Sequence, residues 1–136
     1  MDPLSSIGLV AASGMRAQGE RLKVVAENVA NAGSTGTRPG ADPYQRKTLA
    51  FEEMVDRNSG ASLVRVAELG RDRAPFGREY DPAHPAADAE GYVKTANVNP
   101  LLEMSNMREA SRSYEANLNM FEAGRQMRAQ ILDLLR

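Results

Sequence analysis

Cysteine is absent from the 136 residues, tryptophan is absent, and histidine occurs once. Without cysteine there is no disulfide scaffold, no thiolate-bound zinc and no thiol nucleophile. A single histidine, His84, excludes a histidine-rich metal cage. Aromatic residues make up 5% of the chain, which leaves few large anchors for a compact core. Neither charge sign dominates: 17 basic residues face 18 acidic ones. A general binder of nucleic acid or anionic membrane needs a basic excess, so neither partner is expected. Long hydrophobic runs are missing too. The longest near the start is Leu9-Val10-Ala11-Ala12, and the first basic residue is Arg16. That is neither the layout of a cleaved secretory signal nor the ~20 apolar residues of a membrane span. Direct membrane insertion is therefore not expected.

Proline and glycine are unevenly placed. Between positions 33 and 99 they recur throughout; past Pro100 there is no proline and one glycine, Gly124. Before Gly33 the one proline is Pro3, which suits a helix's first turn. The chain reads as helix, irregular middle, helix, with segments 1–33, 34–99 and 100–136.

The spacing predicts a first helix over Pro3–Ala32. Its stripe is Leu4, Ile7, Ala11, Met15, Gln18, Leu22, Val25 and Val29, stepping by three or four. Asp2 is placed to cap its start, and Gly33 to end it. Gly8, Gly14 and Gly19 fall inside, each costing about 1 kcal/mol against Ala. Such a helix is weak alone, yet its small side chains let a neighbour come close. A last helix runs from Pro100 to the end, with Asn99 as its cap and Glu103 in its first turn. Its stripe is Met104, Met107, Ser111, Tyr114, Leu118, Phe121, Gly124, Met127, Ile131 and Leu135. Two consecutive steps of three, Phe121–Gly124–Met127, disturb a strict heptad. The methionines on both helices suit a core, or adaptable contacts with non-identical neighbours. At ~1.5 Å per residue the last helix would be about 54 Å long. Both helices want neighbours. The fold class is mainly α: long N- and C-terminal helices pairing in a coiled-coil-like layer, with a small irregular β-containing middle. Strand-like pieces there are Tyr44–Phe51, Leu63–Ala67 and Tyr92–Lys94, with turns at Asp42-Pro43, Asp81-Pro82 and His84-Pro85.

Candidate chemistry is thin. Gly33-Ser34-Thr35-Gly36-Thr37 lacks a Gly-Lys-Ser/Thr ending and follows a helix, so a turn is favoured over a phosphate loop. Asp81, His84 and Asp88 lie in a proline-broken loop with no frame for a metal or a general base. Glu52 and Glu53 are adjacent on a strand and point to opposite faces. No catalytic, cofactor or metal residue is assigned, and no cofactor is expected. In Glu27-Asn28-Val29-Ala30-Asn31 two readings stay open: Asn31 caps the helix end, or a buried Asn fixes axial alignment between helices.

The terminal segments carry a resemblance. Ala11–Gln18, Arg21-Leu22 and Glu27-Asn28-Val29-Ala30-Asn31 look like the N-terminal signature of the bacterial flagellar rod and hook axial proteins. Tyr80–Pro85, Asp88–Val93, Asn97-Val98-Asn99, Glu103-Met104 and Glu109–Asn117 are similar to the basal-body rod members of that family. Tyr44–Lys47 with Phe51-Glu52 resembles their middle signature. Ala96, where Pro is usual, and Gly33-Ser34, where Asn-Thr is usual, depart from it. The resemblance implies a structural subunit of the proximal rod, not an enzyme. Its terminal helices would line a hollow tube that transmits torque and passes export substrates. Its partners would be copies of itself, other rod proteins, basal-body ring and adaptor proteins, and the flagellar type III export apparatus. Its place would be the rod crossing the periplasm, reached without a cleaved signal peptide. The helix-packing interface is expected at Ile7, Ala11, Met15, Leu22, Val25, Asn28, Val29 and Asn31, and at Met104, Met107, Tyr114, Asn117, Leu118, Phe121, Met127, Ile131 and Leu135. The alternatives are a self-contained helical-hairpin adaptor and a small enzyme using the Asp81–His84–Asp88 loop.

Overall fold

A computed structural model describes residues 2–136. In chain order the elements are α1 (Pro3–Ala30), β1 (Lys47–Val55), β2 (Ser62–Arg71), β3 (Gly77–Tyr80), β4 (Tyr92–Thr95) and α2 (Pro100–Leu134). Among the described residues no helix is long and apolar enough to cross a membrane.

Both helix starts follow the sequence. The Ser5 N–H donates to Asp2 Oδ1 at 2.7 Å and the Ser5 hydroxyl to Oδ2 at 3.0 Å, so Asp2 caps α1 with Pro3 at its first position. Asn99 Oδ1 accepts from the N–H groups of Leu101 (3.1 Å) and Leu102 (3.4 Å), and Pro100 opens α2. The end of α1 differs from expectation. It stops at Ala30, and Asn31 Nδ2 donates back to the Glu27 carbonyl at 2.8 Å. Gly33 does not take the left-handed conformation, which falls to Gly40, Gly60 and Gly91. The asparagine side chain satisfies the last turn, so no left-handed glycine is required there.

The chain divides into two compact units, each discontinuous in sequence. One gathers the chain up to Leu22 with Ala50–Glu68 and Arg108–Arg136; the other gathers Lys23–Leu49 and Leu69–Met107.

In the first unit α1 and α2 run antiparallel. Gly8 lies against Phe121, Gly14 against Asn117 and Ile7 against Gly124, while Arg21 pairs with Glu109 at 3.3 Å. Partner numbers fall on one helix as they rise on the other. Ala11, Ser13, Gly14 and Ala17 are buried on α1; Ala110 and Gly124 are buried on α2. The approach is close: a Cβ at Gly14 would sit 2.5 Å from Asn117 Oδ1, and one at Gly124 would sit 3.3 Å from Ile7 Cγ2. The six residues between β1 and β2 are too few for a parallel crossover, so the pair is an antiparallel hairpin. Its turn is closed by the Asp56 N–H to the Ala61 carbonyl at 2.9 Å and by Asp56 Oδ2, which accepts from Ser59 N and Oγ. Ser13 joins hairpin to helix: its hydroxyl donates to the Val10 carbonyl at 2.7 Å and accepts from the Val64 N–H at 3.2 Å.

The face α2 turns inward is a correction to the sequence reading. The expected stripe passed through Met104, Ser111, Tyr114 and Leu118. The structure instead covers Glu103, Ala110, Ser113 and Asn117, each one residue earlier, which is a rotation of about 100°. Met107, Phe121 and Gly124 stay at least half-buried, as expected. The cause is volume. A helix that approaches Gly14 and Ala17 closely accepts alanine and serine at the contact and displaces tyrosine and leucine to the flank.

The second unit holds the end of α1, the β3–β4 hairpin and the start of α2. β3 pairs antiparallel with β4 from Gly77↔Thr95 to Tyr80↔Tyr92, and Thr35 bridges to Thr95. Tyr80 and Tyr92 meet edge to face at 5.3 Å, with Arg78 stacked 4.6 Å over the Tyr92 ring. Val24, Val25, Ala86, Val93 and Ala96 are its buried apolar residues. β1 and β4 overlap the strand-like pieces read from sequence and β2 extends its piece at both ends; β3, Gly-Arg-Glu-Tyr, has no apolar alternation and was missed.

Two of the three interior glycines of α1, Gly14 and Gly19, separate propensity from contact. Nothing lies within 4 Å of a Cβ at Gly19, so Gly19→Ala is expected to stabilise by about 1 kcal/mol. Gly14→Leu drives a side chain into Asn117 and is expected to destabilise by about 1–3 kcal/mol. Urea unfolding of the two variants checks this; a Gly14→Leu chain as stable as the parent would mean a loose seam.

Candidate assembly interface

The residues expected to meet other helices fall into two groups. Ala11, Val25 and Asn28 are buried within the chain, and Ile7, Met15, Leu22, Val29, Asn31, Met107, Asn117 and Phe121 are half-buried. Met104, Tyr114, Leu118, Met127, Ile131 and Leu135 are exposed, with Met104 at 57% and Leu135 at 79%. Leu101, Leu102, Met120, Leu132 and Leu134 join them on α2 and were not singled out from the sequence. Every residue from Arg125 to Arg136 is exposed. One helix thus presents apolar side chains along its whole length, while its inner face holds mostly small or polar residues with Met107 and Phe121 among them.

What holds the start of α2 is a cluster of polar groups. Glu103 is fully buried in the first turn of α2, and its Oε1 accepts a hydrogen bond from Arg46 Nε. Arg46 also pairs with Asp72 at 3.4 Å. The Arg46 N–H donates to Asn97 Oδ1 at 2.7 Å, and Asn97 Nδ2 donates to the carbonyls of Asp72 and Ala74, both at 3.0 Å. The backbone just before β1, just after β2 and just before α2 is tied at one point. Glu103 Oε2 is buried with no hydrogen-bond partner. From the sequence Glu103 reads as a solvated first-turn acid favoured by the helix dipole. Nothing local indicates an arginine 57 residues away.

Asn28 organises the other side of this unit and is also fully buried. Its Oδ1 accepts from the Tyr44 hydroxyl (2.7 Å) and the Lys47 N–H (2.9 Å), and its Nδ2 donates to the Lys47 carbonyl at 3.0 Å. The amide thereby acts as one rung of a sheet for the first residue of β1. Of the two readings of the asparagines, capping by Asn31 is observed, while Asn28 is buried but not between helices. The partner of Asn28 within this chain is a strand start, not a helix. Beside it Lys47 pairs with Glu27. The hydrogen bond from Lys47 holds the Glu27 carboxyl below its ordinary 4.5, against a smaller opposing effect of burial. Burial pushes the Tyr44 phenol above its ordinary 10.0, which keeps it a neutral donor.

The other candidates have structural partners. His84 Nδ1 accepts from the Ala86 N–H at 3.0 Å and its Nε2 lies 3.4 Å from the Thr35 hydroxyl. Asp88 Oδ1 accepts from the N–H groups of Glu90 (2.9 Å) and Tyr92 (3.0 Å), and these bonds hold its pKa below 3.8. Among the described residues no group of three or more His, Asp or Glu is placed to hold a metal. Glu52 bonds Arg65 while Glu53 bonds Ser62, each to its own neighbour. Gly36 is buried against the Ala41 carbonyl, 2.3 Å from where a Cβ would stand, so the glycine-rich stretch is a tight turn.

Comparison with known proteins gives matches at both ends of the chain. Residues 9–36 match the family "Flagella basal body rod protein", and residues 89–134 match "Flagellar basal body rod FlgEFG protein C-terminal". The flagellar basal-body rod protein FlgC of Agrobacterium fabrum is 53% identical over 136 residues, covering 100% of this chain and 98% of the relative. Its counterpart in Escherichia coli O6:H1 is 39% identical over 125 residues, 92% of each chain. That of Borreliella burgdorferi is 36% identical over 152 aligned positions, 99% of each.

Two measurements address the polar cluster. Arg46→Ala leaves the Glu103 carboxylate buried without its partner and is expected to cost about 3 kcal/mol. Arg46→Met combined with Glu103→Leu is expected to recover most of that loss in urea unfolding. An Arg46→Ala cost under about 1 kcal/mol, the range of surface pairs, would show that the pair does not anchor α2. For Glu27 the folded carboxyl binds its proton less readily than the unfolded one. Its contribution to stability is present above 4.5 and is lost as pH falls through the lower folded value. Lys47→Met is expected to return the Glu27 titration, followed by carbon-detected NMR, to about its ordinary 4.5.

Proposed function

The chain belongs to the flagellar basal-body rod protein family, and from that membership we propose that its terminal helices join those of neighbouring subunits in the wall of a hollow tube. It is a structural subunit of the rod, not an enzyme. In this reading α1 and α2 form a coiled-coil-like inner layer, residues 34–99 face other subunits outside it, and the tube transmits torque and passes export substrates. The partners are copies of this chain, other rod proteins, basal-body ring and adaptor proteins, and the type III export apparatus. The rod crosses the periplasm, and the subunit reaches it without a cleaved signal peptide. The exposed end of α2 gains its buried surface from neighbours on assembly.

The observation that carries the reading is the uncovered apolar surface along α2 and its end: Met104, Tyr114, Leu118, Met127, Ile131 and Leu135 are all exposed. Burying such a side chain contributes about 1.5–3 kcal/mol. A long helix that leaves many of them in water gains that stabilisation when other helices cover it. An adaptor complete in itself would have turned these residues inward.

Leu118 tests this, because it is 37% exposed and makes little of the chain's own core. Leu118→Asp is expected to change unfolding free energy by under about 1 kcal/mol. The same change in an assembled wall buries an unpaired charge. Complementation of a strain lacking the gene is expected to give no swimming in soft agar and no rod in isolated basal bodies. Normal swimming would place Leu118 on a free surface and remove the proposed role of this flank.

A further inference from the structure

Two hairpins give the described residues four outer strand edges. Two of these edges are covered within the chain. On β2 the Val64 N–H donates to Ser13 Oγ at 3.2 Å, and on β4 Thr95 is bridged by Thr35. The outer edges of β1 and β3 have no strand beside them. We infer that these two edges pair between copies of the chain: β3 of one copy adds antiparallel to β1 of the next, with Glu53 opposite Arg78 and Phe51 opposite Tyr80. The inference rests on the rod-subunit reading and adds which two surfaces of neighbouring copies meet.

Backbone direction alternates along a strand, so a few bonds settle which residues face each open edge. Along β1 the Arg46 carbonyl accepts from the Asp72 N–H at 2.8 Å and the Asp56 N–H donates to the Ala61 carbonyl at 2.9 Å, both toward the β2 side. Lys47 faces the other way: its N–H donates to Asn28 Oδ1 and its carbonyl accepts from Asn28 Nδ2. Leu49, Phe51, Glu53 and Val55 share the parity of Lys47 and present their N–H and carbonyl groups at the open edge. On β3 the register runs from Gly77↔Thr95 to Tyr80↔Tyr92, and the Asp81 N–H donates to the Gly91 carbonyl at 2.9 Å. Gly77 and Glu79 therefore bond β4, while Arg78 and Tyr80 turn their backbone groups outward. Every residue of β3 is exposed, Tyr80 at 65%, and Phe51 on β1 is 37% exposed. Pro75 and Pro82, which have no N–H, bound the stretch that can pair.

Side-chain chemistry selects the register and the occupant. Glu53 bonds Ser62 and, among the described residues, pairs with no cation. The Arg78 side chain is 56% exposed and reaches Asp88 at 3.4 Å and Glu90 at 3.9 Å. A guanidinium has five N–H donors, so it retains donors for a further carboxylate. With Glu53 opposite Arg78, Phe51 falls opposite Tyr80 and Val55 opposite Phe76. Opposite charges and paired aromatics facing each other across strands are favourable. A slide by two residues sets Glu53 opposite Tyr80 or Phe76 and loses the match. Pairing β1 with β1 of another copy offers Glu53 no cation, because the rung at Lys47 is held by Asn28. Pairing β3 with β3 offers Arg78 no carboxylate. The contact joins two different edges, so it propagates from copy to copy and does not close on a pair.

The absence of cysteine makes the test clean. Phe51→Cys and Tyr80→Cys are made singly in the full chain, purified apart, mixed and oxidised, which leaves Glu53 and Arg78 in place. Directly opposite residues that exchange hydrogen bonds have Cα atoms about 5.5 Å apart, and a disulfide needs less than about 7 Å. The expected result is a mixed dimer in the mixture. It is lost when Arg78→Glu is added to the Tyr80→Cys chain and returns when Glu53→Arg is then added to the Phe51→Cys chain. Leu49→Cys in place of Phe51→Cys is expected to link several-fold less, because it stands one rung out of register. A chain that associates in sedimentation but yields no mixed dimer overturns the inference, as does either variant linking only to itself. Equal linking from Leu49→Cys, or a mixed dimer indifferent to both charge reversals, overturns it too. A chain monomeric at every soluble concentration overturns it as well. None of these results touches the rod reading, which stands or falls on swimming and on isolated basal bodies.

Discussion

The close approach of α1 and α2 is the constraint on which the first unit depends. Two backbones come together over Gly8, Gly14 and Gly124, and the side chains between them are mostly small: Ala11, Ser13, Ala17, Ala110 and Ser113. Such a seam gains dispersion contacts between backbones and excludes bulk. Tyrosine, leucine and methionine on α2 therefore stand on its flanks. The exposed apolar surface is a direct consequence of the seam and not an independent feature. A chain selected to leave its large side chains outside would be built in this way, with small residues inside.

The second unit solves a different problem. Its two largest fully buried side chains are Asn28 and Glu103, both polar. An apolar cluster tolerates sliding by a residue, whereas an amide bonded to both the N–H and the carbonyl of Lys47 does not. Arg46 does the same for α2 by holding Glu103 while its own N–H is held by Asn97. Directional bonds here fix where each helix begins or ends relative to the loops. Position along the chain axis is what a subunit must specify if its helices are to meet others in a fixed register.

Helices were legible because their signals are local. Asp2, Pro3, Asn99 and Pro100 mark the starts, and the three- and four-residue steps mark the faces. The face of α2 was misjudged by one residue because hydrophobicity was taken as the guide to burial. In this chain volume decides burial within the protomer, and hydrophobicity describes what remains outside. The polar cluster was illegible for a different reason. Arg46, Asp72, Asn97 and Glu103 are far apart in sequence, and each alone resembles an ordinary solvated residue. β3 was missed because Gly77-Arg78-Glu79-Tyr80 takes its strand form from its pairing with β4 and not from its own pattern. The family resemblance came from short motifs, and two of their residues, Asn28 and Glu103, prove to be the buried polar anchors.

A flank of exposed apolar residues invites promiscuous association unless something limits it. Over the middle of α2 the limit is interruption. Arg108, Arg112, Glu115, Glu122 and Arg125 stand among Met104, Tyr114, Leu118, Met120 and Met127, so charge separates the apolar residues there. A partner must supply both apolar surface and matching charge at the same spacing, which few surfaces do. The methionines work the other way. Their unbranched side chains adapt to neighbours of different shape. Charge that excludes wrong partners and methionine that tolerates several right ones together suit a subunit that associates with other rod proteins.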